Sequence, residues 1–381
     1  MKKILKAGLA STAFLALAIG SLMLYWYFRP NTALVDPSLR LEAWTAVGDG
    51  MHNSNTDMIF WRGRFHLVHA NSPYHFATEK CRLMIWRSAD ARTWEKLSEV
   101  NIPGEDIRDP KLAVIGGRLF LYVLKSTRFI AEPYRTALRT SADGKTWTPL
   151  RDIEPEGWLF WRPKTRDGRT WHVPAYWHEH GKSILLKSTD GVRWSPVSVI
   201  HEGDWNDETD IEFLPDGRMI ATARLEGSDR WLGDENASTL IAVASAPYTG
   251  WKSTKSFVTR LDGPALFSYN GKTYAVGRHN PDPTGFFTYF GSILARKRTA
   301  LYLLLEDRLV YLSDLPSAGD TSYAGVVLRG GRAYISYYTS DTARDYPWII
   351  GMLARSDIMI AKVELPLLER LAESKLAADR L

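Results

Sequence analysis

The stretch from Asn206 to Arg224 places ionisable side chains at both ends of a predicted β-hairpin. Alternating apolar residues from Asp210 onward predict a strand, a Pro-Asp-Gly turn follows, and a second strand returns to Arg224. Glu208 and Arg224 are then expected at the same edge of the sheet. A carboxylate and a guanidinium group beside an apolar sheet are costly to leave unpaired. The pair therefore indicates either a polar site or a structural salt bridge that closes the hairpin.

Similar charged residues begin other apolar runs along the chain. Successive starts are separated by roughly 50 residues, the length of four short strands with their turns. The starts are Asp57, Asp109, Arg162, Glu208, Asp262 and Asp320. If these strands surround one axis, their first residues meet in one pocket, which is expected also to contain Arg108, Arg224, Arg278 and Tyr323. Charges of both signs around one apolar funnel favour a functional site over scattered salt bridges.

A short pattern, Ser-x-Asp-x-x-x-Trp, recurs with the same period. It occurs at Ser88–Trp94, Ser141–Trp147 and Ser188–Trp194, and Ser245–Trp251 keeps the Ser and Trp but lacks the Asp. The spacing from one of these serines to the next matches that of the strand starts, so the pattern marks one turn in each repeat. In such a turn Asp accepts hydrogen bonds from backbone amides, Gly adopts a left-handed conformation, and Trp packs between neighbouring repeats.

This pattern resembles the Asp-box, or BNR repeat, of sialidases and related β-propellers. The resemblance predicts an all-β fold, a six-bladed β-propeller of sialidase type over residues 41–365, with one of the six strand starts in each blade. The strand at residues 41–47 is expected to complete the last blade from outside. Residues 366–381 are expected to form an amphipathic helix.

The N-terminal segment, residues 1–30, predicts a transmembrane helix. Ala7 to Phe28 is an uncharged, mainly apolar run that is long enough to span a bilayer, preceded by Lys2, Lys3 and Lys6 and ending in four aromatic residues. A signal anchor is the main interpretation, with residues 31–40 as a linker, and a cleaved signal peptide is the alternative. In either case the propeller is predicted to lie outside the cytoplasm, in the periplasm or the extracellular space.

Composition excludes some partners. The chain has 48 basic and 43 acidic residues without a basic stripe, which argues against nucleic-acid binding. Cys81 is the single cysteine, so an intramolecular disulfide is excluded. We expect neither a cofactor nor a metal, although His178-Glu179-His180 offers a weak alternative metal motif.

The resemblance also implies roles for individual residues. The segment from Glu208 to Arg224 is similar to the one that supplies the general base and an arginine of the substrate-binding triad in sialidases. The segment around Tyr323 resembles the one that carries the tyrosine nucleophile, and Arg278 matches a second triad arginine. A phenol has a pKa of ~10 and becomes a good nucleophile only when a neighbouring base removes its proton. Glu208 is the expected base.

Two elements of the sialidase pattern are missing. The first inner strand contains Asn55-Thr56-Asp57 where those enzymes have an Arg-Ile-Pro motif, and the loop His69 to Glu79 lacks their acid/base aspartate. Other hydrolases of this fold cleave neutral sugars with paired carboxylates, so Asp57 or Asp109 opposite Glu208 is a second interpretation. The predicted substrate-binding residues are Arg108, Arg162, Arg224, Arg278 and Asp320.

The sequence thus predicts a membrane-tethered glycoside hydrolase of the sialidase superfamily that acts on a terminal sugar of an extracytoplasmic glycan. The alternative is a non-catalytic propeller that binds a glycan or a protein at the same face. The two differ in whether a carboxylate lies within hydrogen-bonding distance of Tyr323, or opposite another acid across the pocket.

Overall fold

The computed structural model describes residues 2–28, 32–127, 134–281, 283 and 287–379. It begins with helix α1, Lys2–Phe28, within which Lys6–Tyr25 is long and apolar enough to cross a membrane, with a mean hydropathy of 1.9. None of that apolar window is buried. Residues 1 and 29–31, which belong to the predicted anchor and linker, lie outside the described residues. A short 3-10 turn, Pro37–Leu39, precedes the first strand.

The rest of the described chain is mainly β-strand. The first half contains β1 Glu42–Val47, β2 His52–Trp61, β3 Arg64–Ser72, β4 Arg82–Ser88, β5 Glu95–Val100, β6 Glu105–Ile115, β7 Arg118–Thr127, β8 Arg135–Ser141, β9 Arg151–Asp152, β10 Trp158–Phe160, β11 Lys164–Thr165, β12 Trp171–Trp177, β13 Lys182–Ser188 and β14 Ser195–Glu202. The second half contains β15 Asn206–Phe213, β16 Met219–Leu225, β17 Ser238–Ala244, β18 Trp251–Ser256, β19 Asp262–Tyr269, β20 Lys272–His279, β21 Arg298–Leu304, β22 Leu309–Asp314, β23 Thr321–Arg329, β24 Arg332–Ser340 and β25 Ser356–Glu364. Helices α2, Trp348–Leu353, and α3, Leu365–Ala378, complete the described elements.

These strands form a closed ring of antiparallel sheets, which is a β-propeller. Three sheets are four-stranded meanders, β6–β9, β15–β18 and β19–β22, and a fourth contains β10–β14. The inner strands touch in sequence around the ring, since β2 contacts both β6 and β23, and β15 contacts both β12 and β19. The fold class predicted from the repeats is therefore correct at the level of an all-β propeller.

The number of separate sheets differs from the prediction of six. The described strands form five, because β2–β5 and β23–β25 with β1 join in one eight-stranded sheet. Within the described chain, β2 and β25 pair through His52 and Ser356, and this pairing is parallel. As expected, β1 adds to the outer edge of β25, with Glu42 opposite Lys362.

A bulge recurs near the start of five inner strands. In β2, β6, β15, β19 and β23 the register shifts by one residue against the next strand. Four non-glycine residues in these bulges, Asn55, Asp109, Ser322 and Tyr323, have φ values of 48°, 48°, 111° and 49°. A bulge bends the strand and re-aims its side chains. Here it occurs at the residues expected to line the pocket.

The Ser-x-Asp turns lie between the third and fourth strands of their sheets. Asp143 Oδ1 accepts hydrogen bonds from the amides of Lys145 and Thr146 at 2.8 and 2.7 Å, and Asp90 and Asp190 make the same pair of bonds in their turns. These backbone hydrogen bonds lower the pKa of each carboxyl group below its usual value. All three turns therefore have one local structure.

The tryptophan that ends each pattern packs toward the preceding sheet. Trp194 lies 6.3 Å from Tyr122 and 5.5 Å from Phe160, centroid to centroid. Trp147 belongs to the cluster that contains Val68 and Ile85 of the sheet before it, but it is only half-buried. The core of the molecule is thus a series of apolar clusters between neighbouring sheets.

The C-terminal helix covers one of these clusters. Leu365, Leu368, Leu371 and Ala372 of α3 are buried together with Tyr337 of β24. The helix begins one residue before the predicted segment and ends at Ala378, and residues 380 and 381 lie outside the described residues.

Candidate functional site

Glu208 and Tyr323 are in direct contact. The Tyr323 hydroxyl donates a short hydrogen bond to Glu208 Oε1, although the residues belong to β15 and β23. The bulge in β23 gives Tyr323 its left-handed backbone and turns its ring toward Glu208. Both residues are nearly inaccessible, with exposures of 8% for Tyr323 and 5% for Glu208. The two residues predicted as nucleophile and base therefore form one buried pair.

The environment of Glu208 brings its pKa close to neutral pH. Burial raises the pKa of Glu208 to about 7, although Arg224 Nη1, at 3.1 Å from Oε1, opposes that shift. The other oxygen, Oε2, accepts a hydrogen bond of 2.6 Å from the amide of Gly263. Burial and the Glu208 carboxylate raise the pKa of Tyr323 well above its usual value. At neutral pH the phenol keeps its proton, and Glu208 is the group able to accept it.

Arg224 and Arg278 flank this pair, each held by carboxylates. Arg224 forms a bidentate contact with Asp207, in which Nε lies 2.7 Å from Oδ1. Arg278 lies 3.2 Å from Asp262 and 3.4 Å from Asp320, and it donates to the Tyr338 hydroxyl at 2.9 Å. Its guanidinium carbon is 5.2 Å from the centroid of the Tyr323 ring.

Asp109 and Arg108 occupy the next inner strand, β6. Asp109 has a left-handed backbone, is 6% exposed, and accepts a short hydrogen bond from the Asn55 side chain. Its charge contributes to the raised pKa of Tyr323, so it faces the same interior. Arg108 is instead paired with Asp106, Nε to Oδ2, at 2.5 Å. Among the described residues, the Asp109 carboxylate accepts one hydrogen bond, whereas that of Asp57 accepts three.

Asp57 and Arg162 belong to a different network. Arg162 bridges Asp57 and Asp210, with 3.0 Å between the nitrogen and oxygen atoms in both contacts. The second oxygen of Asp57 accepts the Leu112 amide at 2.7 Å, and Asp210 accepts the Leu266 amide at 2.9 Å. Burial lowers the pKa of Arg162, but the two aspartates outweigh that effect and raise it. This arrangement joins inner strands of several sheets and favours a structural role for both predicted site residues.

Asp320 is the most completely enclosed of the predicted substrate-binding residues. Its Oδ1 accepts hydrogen bonds from Trp348 Nε1 at 2.7 Å and from the Tyr338 hydroxyl at 3.0 Å. Its Oδ2 lies 3.2 Å from His52 Nε2 and 2.7 Å from His75 Nδ1. Burial alone would raise the pKa of Asp320, but His75 and the other partners hold it well below its usual range.

Several charged residues of the site were not predicted from the sequence. Arg260 is paired with Asp262, Nε to Oδ1, at 2.6 Å and lies 3.3 Å from Glu226. Burial raises the pKa of Glu226, but Arg224 and His180 outweigh it and bring it to about 2. Arg260 precedes Asp262 by two residues and Glu226 follows Arg224 by two. Since alternate residues of a strand share one face, that spacing was the available signal.

A buried lysine and a buried tyrosine were also missed as site residues. Lys111 is 1% exposed, and its Nζ lies 4.0 Å above the ring centroid of Trp161. Burial lowers the pKa of Lys111 and raises that of Tyr176, which is close to Asp109, Asp207 and Glu208. Lys111 reaches the axis from the bulged strand β6, and Tyr176 reaches it from β12, whose pairing with β13 is regular.

The His178-Glu179-His180 triplet does not converge on one point. His180 Nδ1 lies 3.1 Å from Glu226, and His178 packs on Trp177 at 4.6 Å between centroids. Glu179 accepts from the Trp177 indole at 3.2 Å. The triplet therefore does not form the metal motif considered from sequence, although His180 with Asp207 and Glu226 has ligand-like spacing.

An open cavity of about 760 Å³ lies elsewhere. Its lining includes Met51, Asn71, Arg82 and Glu99, and none of its lining residues belongs to the Glu208–Tyr323 cluster. The predicted site residues therefore lie in the buried cluster and not around this cavity.

Comparison with known proteins supports the fold at low sequence identity. No protein-family model matches the chain, and no curated protein matches it. Among solved structures, a mutant Trypanosoma rangeli sialidase with trans-sialidase activity aligns with a TM-score of 0.64 and 12% identity, covering 92% of this chain and 63% of that one. The endosialidase of phage phi92 gives a TM-score of 0.63 and 10% identity, covering 85% and 69%.

An α-L-arabinofuranosidase from Fusarium graminearum aligns with a TM-score of 0.54 and 14% identity, covering 83% of this chain and 94% of that one. The chain therefore has the β-propeller fold of a class that includes glycoside hydrolases. More specifically, its fold is sialidase-like. It spans 63% and 58% of the length of two trypanosomal sialidase chains.

Proposed function

We propose that this protein is a glycoside hydrolase of the sialidase superfamily that removes a terminal sugar from an extracytoplasmic glycan. The observation that carries this proposal is the hydrogen bond from the Tyr323 hydroxyl to Glu208 Oε1. A buried tyrosine beside a carboxylate whose pKa is about 7 is the arrangement that an activated phenol requires.

In the proposed reaction, the Tyr323 oxygen attacks the anomeric carbon while Glu208 takes the phenolic proton. The bond to the leaving oxygen breaks, and an acid protonates that oxygen. Asp109 is the proposed acid, because Asp57 already contacts Arg162 and the Leu112 amide with its two oxygens. Water then attacks the tyrosyl-linked sugar, its proton goes to Asp109, and Tyr323 recovers its proton from Glu208. Two displacements retain the configuration at the anomeric carbon.

The charge balance of the cluster supports a neutral sugar. Arg224, Arg260 and Arg278 each already face at least one carboxylate. Two of these carboxylates, Asp207 and Asp262, accept two nitrogens from one arginine. A substrate carboxylate would have to displace these contacts, whereas sugar hydroxyls can add to them. We therefore propose Arg224 and Arg278 as binders of sugar hydroxyls.

A non-catalytic binder is the second candidate. Glu208 and Tyr323 are almost completely buried, and the loop from His69 to Glu79 supplies no aspartate. Both observations are expected of a propeller that has the sialidase-like fold but does not catalyse glycoside hydrolysis.

The proposal also covers the number of blades and the location of the protein. We propose that the eight-stranded sheet is two blades joined only at the rim, so that residues 41–365 form six blades. We also propose that α1 is a signal anchor and that the propeller lies outside the cytoplasm. The support for that orientation is the group of lysines before the apolar run.

The test is turnover of chromogenic glycosides, including neutral and acidic sugars, by the full chain in detergent. Tyr323→Phe and Glu208→Gln should each lower turnover at least ~1000-fold, and the double variant should be little worse than either single one. Tyr274→Phe is the matched control, because this buried tyrosine lies outside the cluster and its hydroxyl has no hydrogen-bond partner among the described residues.

Wild-type turnover by Tyr323→Phe with loss in Asp109→Asn would replace the tyrosine mechanism with a two-carboxylate one. If the panel yields no turnover and the variants change only the affinity for a glycan, the binder is the correct function.

A further inference from the structure

Three atoms of metal-ligand type converge at the junction of β2 and β23. Asp320 Oδ2 lies 3.2 Å from His52 Nε2 and 2.7 Å from His75 Nδ1, and all three atoms are within 4.8 Å of one another. His52 begins β2, His75 lies in the loop after β3, and Asp320 immediately precedes β23. The side chains of His52 and Asp320 are fully buried, and that of His75 is 16% exposed.

The hydrogen bonding of His52 defines which of its nitrogens carries a lone pair. His52 Nδ1 lies 2.8 Å from the carbonyl oxygen of Ala354, and a carbonyl can only accept. Nδ1 therefore donates to that carbonyl, and Nε2, the nitrogen that can offer a lone pair to a ligand, faces Asp320. Hydrogen bonds of this kind orient histidines that bind metals. A cation between His52 Nε2 and Asp320 Oδ2, which are 3.2 Å apart, would contact both atoms.

The three converging atoms also lack other partners. His52 Nε2, His75 Nδ1 and Asp320 Oδ2 are buried, and within the described chain none makes a hydrogen bond of acceptable geometry. Asp320 Oδ1, by contrast, accepts from Trp348 and Tyr338. Buried polar atoms are rarely left in this state, so three at one point indicate a missing shared partner.

We propose that His52, His75 and Asp320 bind one divalent transition-metal ion, with Zn²⁺ as the best match. Imidazole and carboxylate ligands suit Zn²⁺, Ni²⁺ and Co²⁺, whereas Mg²⁺ and Ca²⁺ prefer oxygen alone. Bonds of about 2.0 to 2.2 Å place tetrahedral ligand atoms about 3.3 Å apart, so small side-chain shifts convert the present spacing into a site. Three protein ligands leave one position open.

The surrounding charges are compatible with a cation. Arg278 contacts Asp262 and also lies 3.4 Å from Asp320 Oδ1, the oxygen that faces away from the two histidines, and Arg108 is paired with Asp106. In the other ligand-like cluster, the oxygen that faces His180, Asp207 Oδ2, itself contacts Arg224, whereas Asp320 Oδ2 faces the two histidines. The ion would join the two ends of the propeller chain, since His52 lies in the first meander and Asp320 at the last. The metal proposal does not depend on the proposed hydrolase activity, because metal binding is measured directly.

Metal binding to the full chain tests the proposal. The protein is purified in detergent without a histidine tag, stripped with a chelator and titrated with Zn²⁺, and bound metal is counted by mass spectrometry. We expect one Zn²⁺ per chain, a rise in melting temperature on binding, and visible Co²⁺ absorption bands of a site with nitrogen and oxygen ligands. Mg²⁺ should neither bind in this way nor raise the melting temperature.

His75→Gln is the first variant, because this loop residue is partly exposed, and His52→Gln is the second. Each should weaken Zn²⁺ binding at least ~10-fold. His201→Gln should not, because His201 faces a single carboxylate, Asp204, at the surface. The proposal is wrong if the wild type binds no Zn²⁺ at micromolar concentration, or if folded His75→Gln binds it as tightly as the wild type. Loss of binding only in His180→Gln would assign the ion to the other cluster.

Discussion

Carboxylates make local contacts in the outer turns and long-range contacts in the axial cluster. In the turns, Asp90, Asp143 and Asp190 accept amides two and three residues away, and the carboxyl groups are exposed enough to be solvated. In the cluster, Tyr323 and Glu208 are 115 residues apart in sequence. Local contacts repeat with the sequence pattern, whereas axial contacts depend on how whole sheets are placed. The turns should therefore respond to mutation individually and the axial residues as a coupled group.

The largest expected effect is at Arg162. Arg162→Met leaves Asp57 and Asp210 as buried anions without their shared cation, and we expect a loss of about 3 to 5 kcal/mol in the free energy of unfolding. Arg169→Met, an exposed position in the next turn, is the control and should change little. Urea unfolding of both variants measures the difference.

The same network predicts that substitutions at Arg162, Asp57 and Asp210 have coupled effects on stability. Adding Asp57→Asn and Asp210→Asn to Arg162→Met should restore part of the lost stability, because no unpaired anion remains. If the three changes are simply additive, the network is not the connected unit described above.

The contrast between the two regions also explains what the sequence could predict. The Ser-x-Asp turns and the hairpin turns follow from short patterns, and the pairing of β1 with β25 was expected because the last repeat lacks a fourth strand. The structure contains all three. Glu208 and Tyr323 were found because each begins an inner strand and matches a family motif. Lys111 was not found, because the one-residue bulge in β6 decides which side chains face the axis.

The number of hydrogen-bonded sheets differs from the number of predicted blades for a related reason. A repeating pattern counts repeats, but it does not show that the first and last meanders pair through His52 and Ser356. That pairing joins residues from opposite ends of the propeller sequence, which no local propensity encodes.

The second prediction uses the pKa of Glu208. Burial raises it from the usual 4.5 to about 7 in the folded protein, so the folded state retains a proton that the unfolded chain releases. The stabilisation linked to this proton is complete below pH 4.5 and is lost as the pH rises to about 7. Between pH 4 and pH 8, wild type should lose roughly 3 kcal/mol relative to Glu208→Gln.

Urea unfolding at pH 4, 6 and 8 measures this difference, with Glu202→Gln as a control at the surface. The gap between Glu208→Gln and wild type should shift in favour of the variant as the pH rises. A gap that is constant with pH would mean that the pKa of Glu208 is the same in the folded and unfolded chain, and burial would then not raise it.

The smallest effect is expected in the outer turns. Asp143→Ala removes two backbone hydrogen bonds within one turn, and the turn retains its serine and glycine, so the melting temperature should fall by only ~1 to 3 °C. Asp190→Ala should do the same, and the double variant should lower it by the sum, since the two turns share no partner among the described residues. Differential scanning fluorimetry of the three proteins measures this. If the double variant lowers the melting temperature by much more than the sum, the two turns are energetically coupled through the sheets. The distinction between local outer turns and a coupled axial cluster would then be wrong.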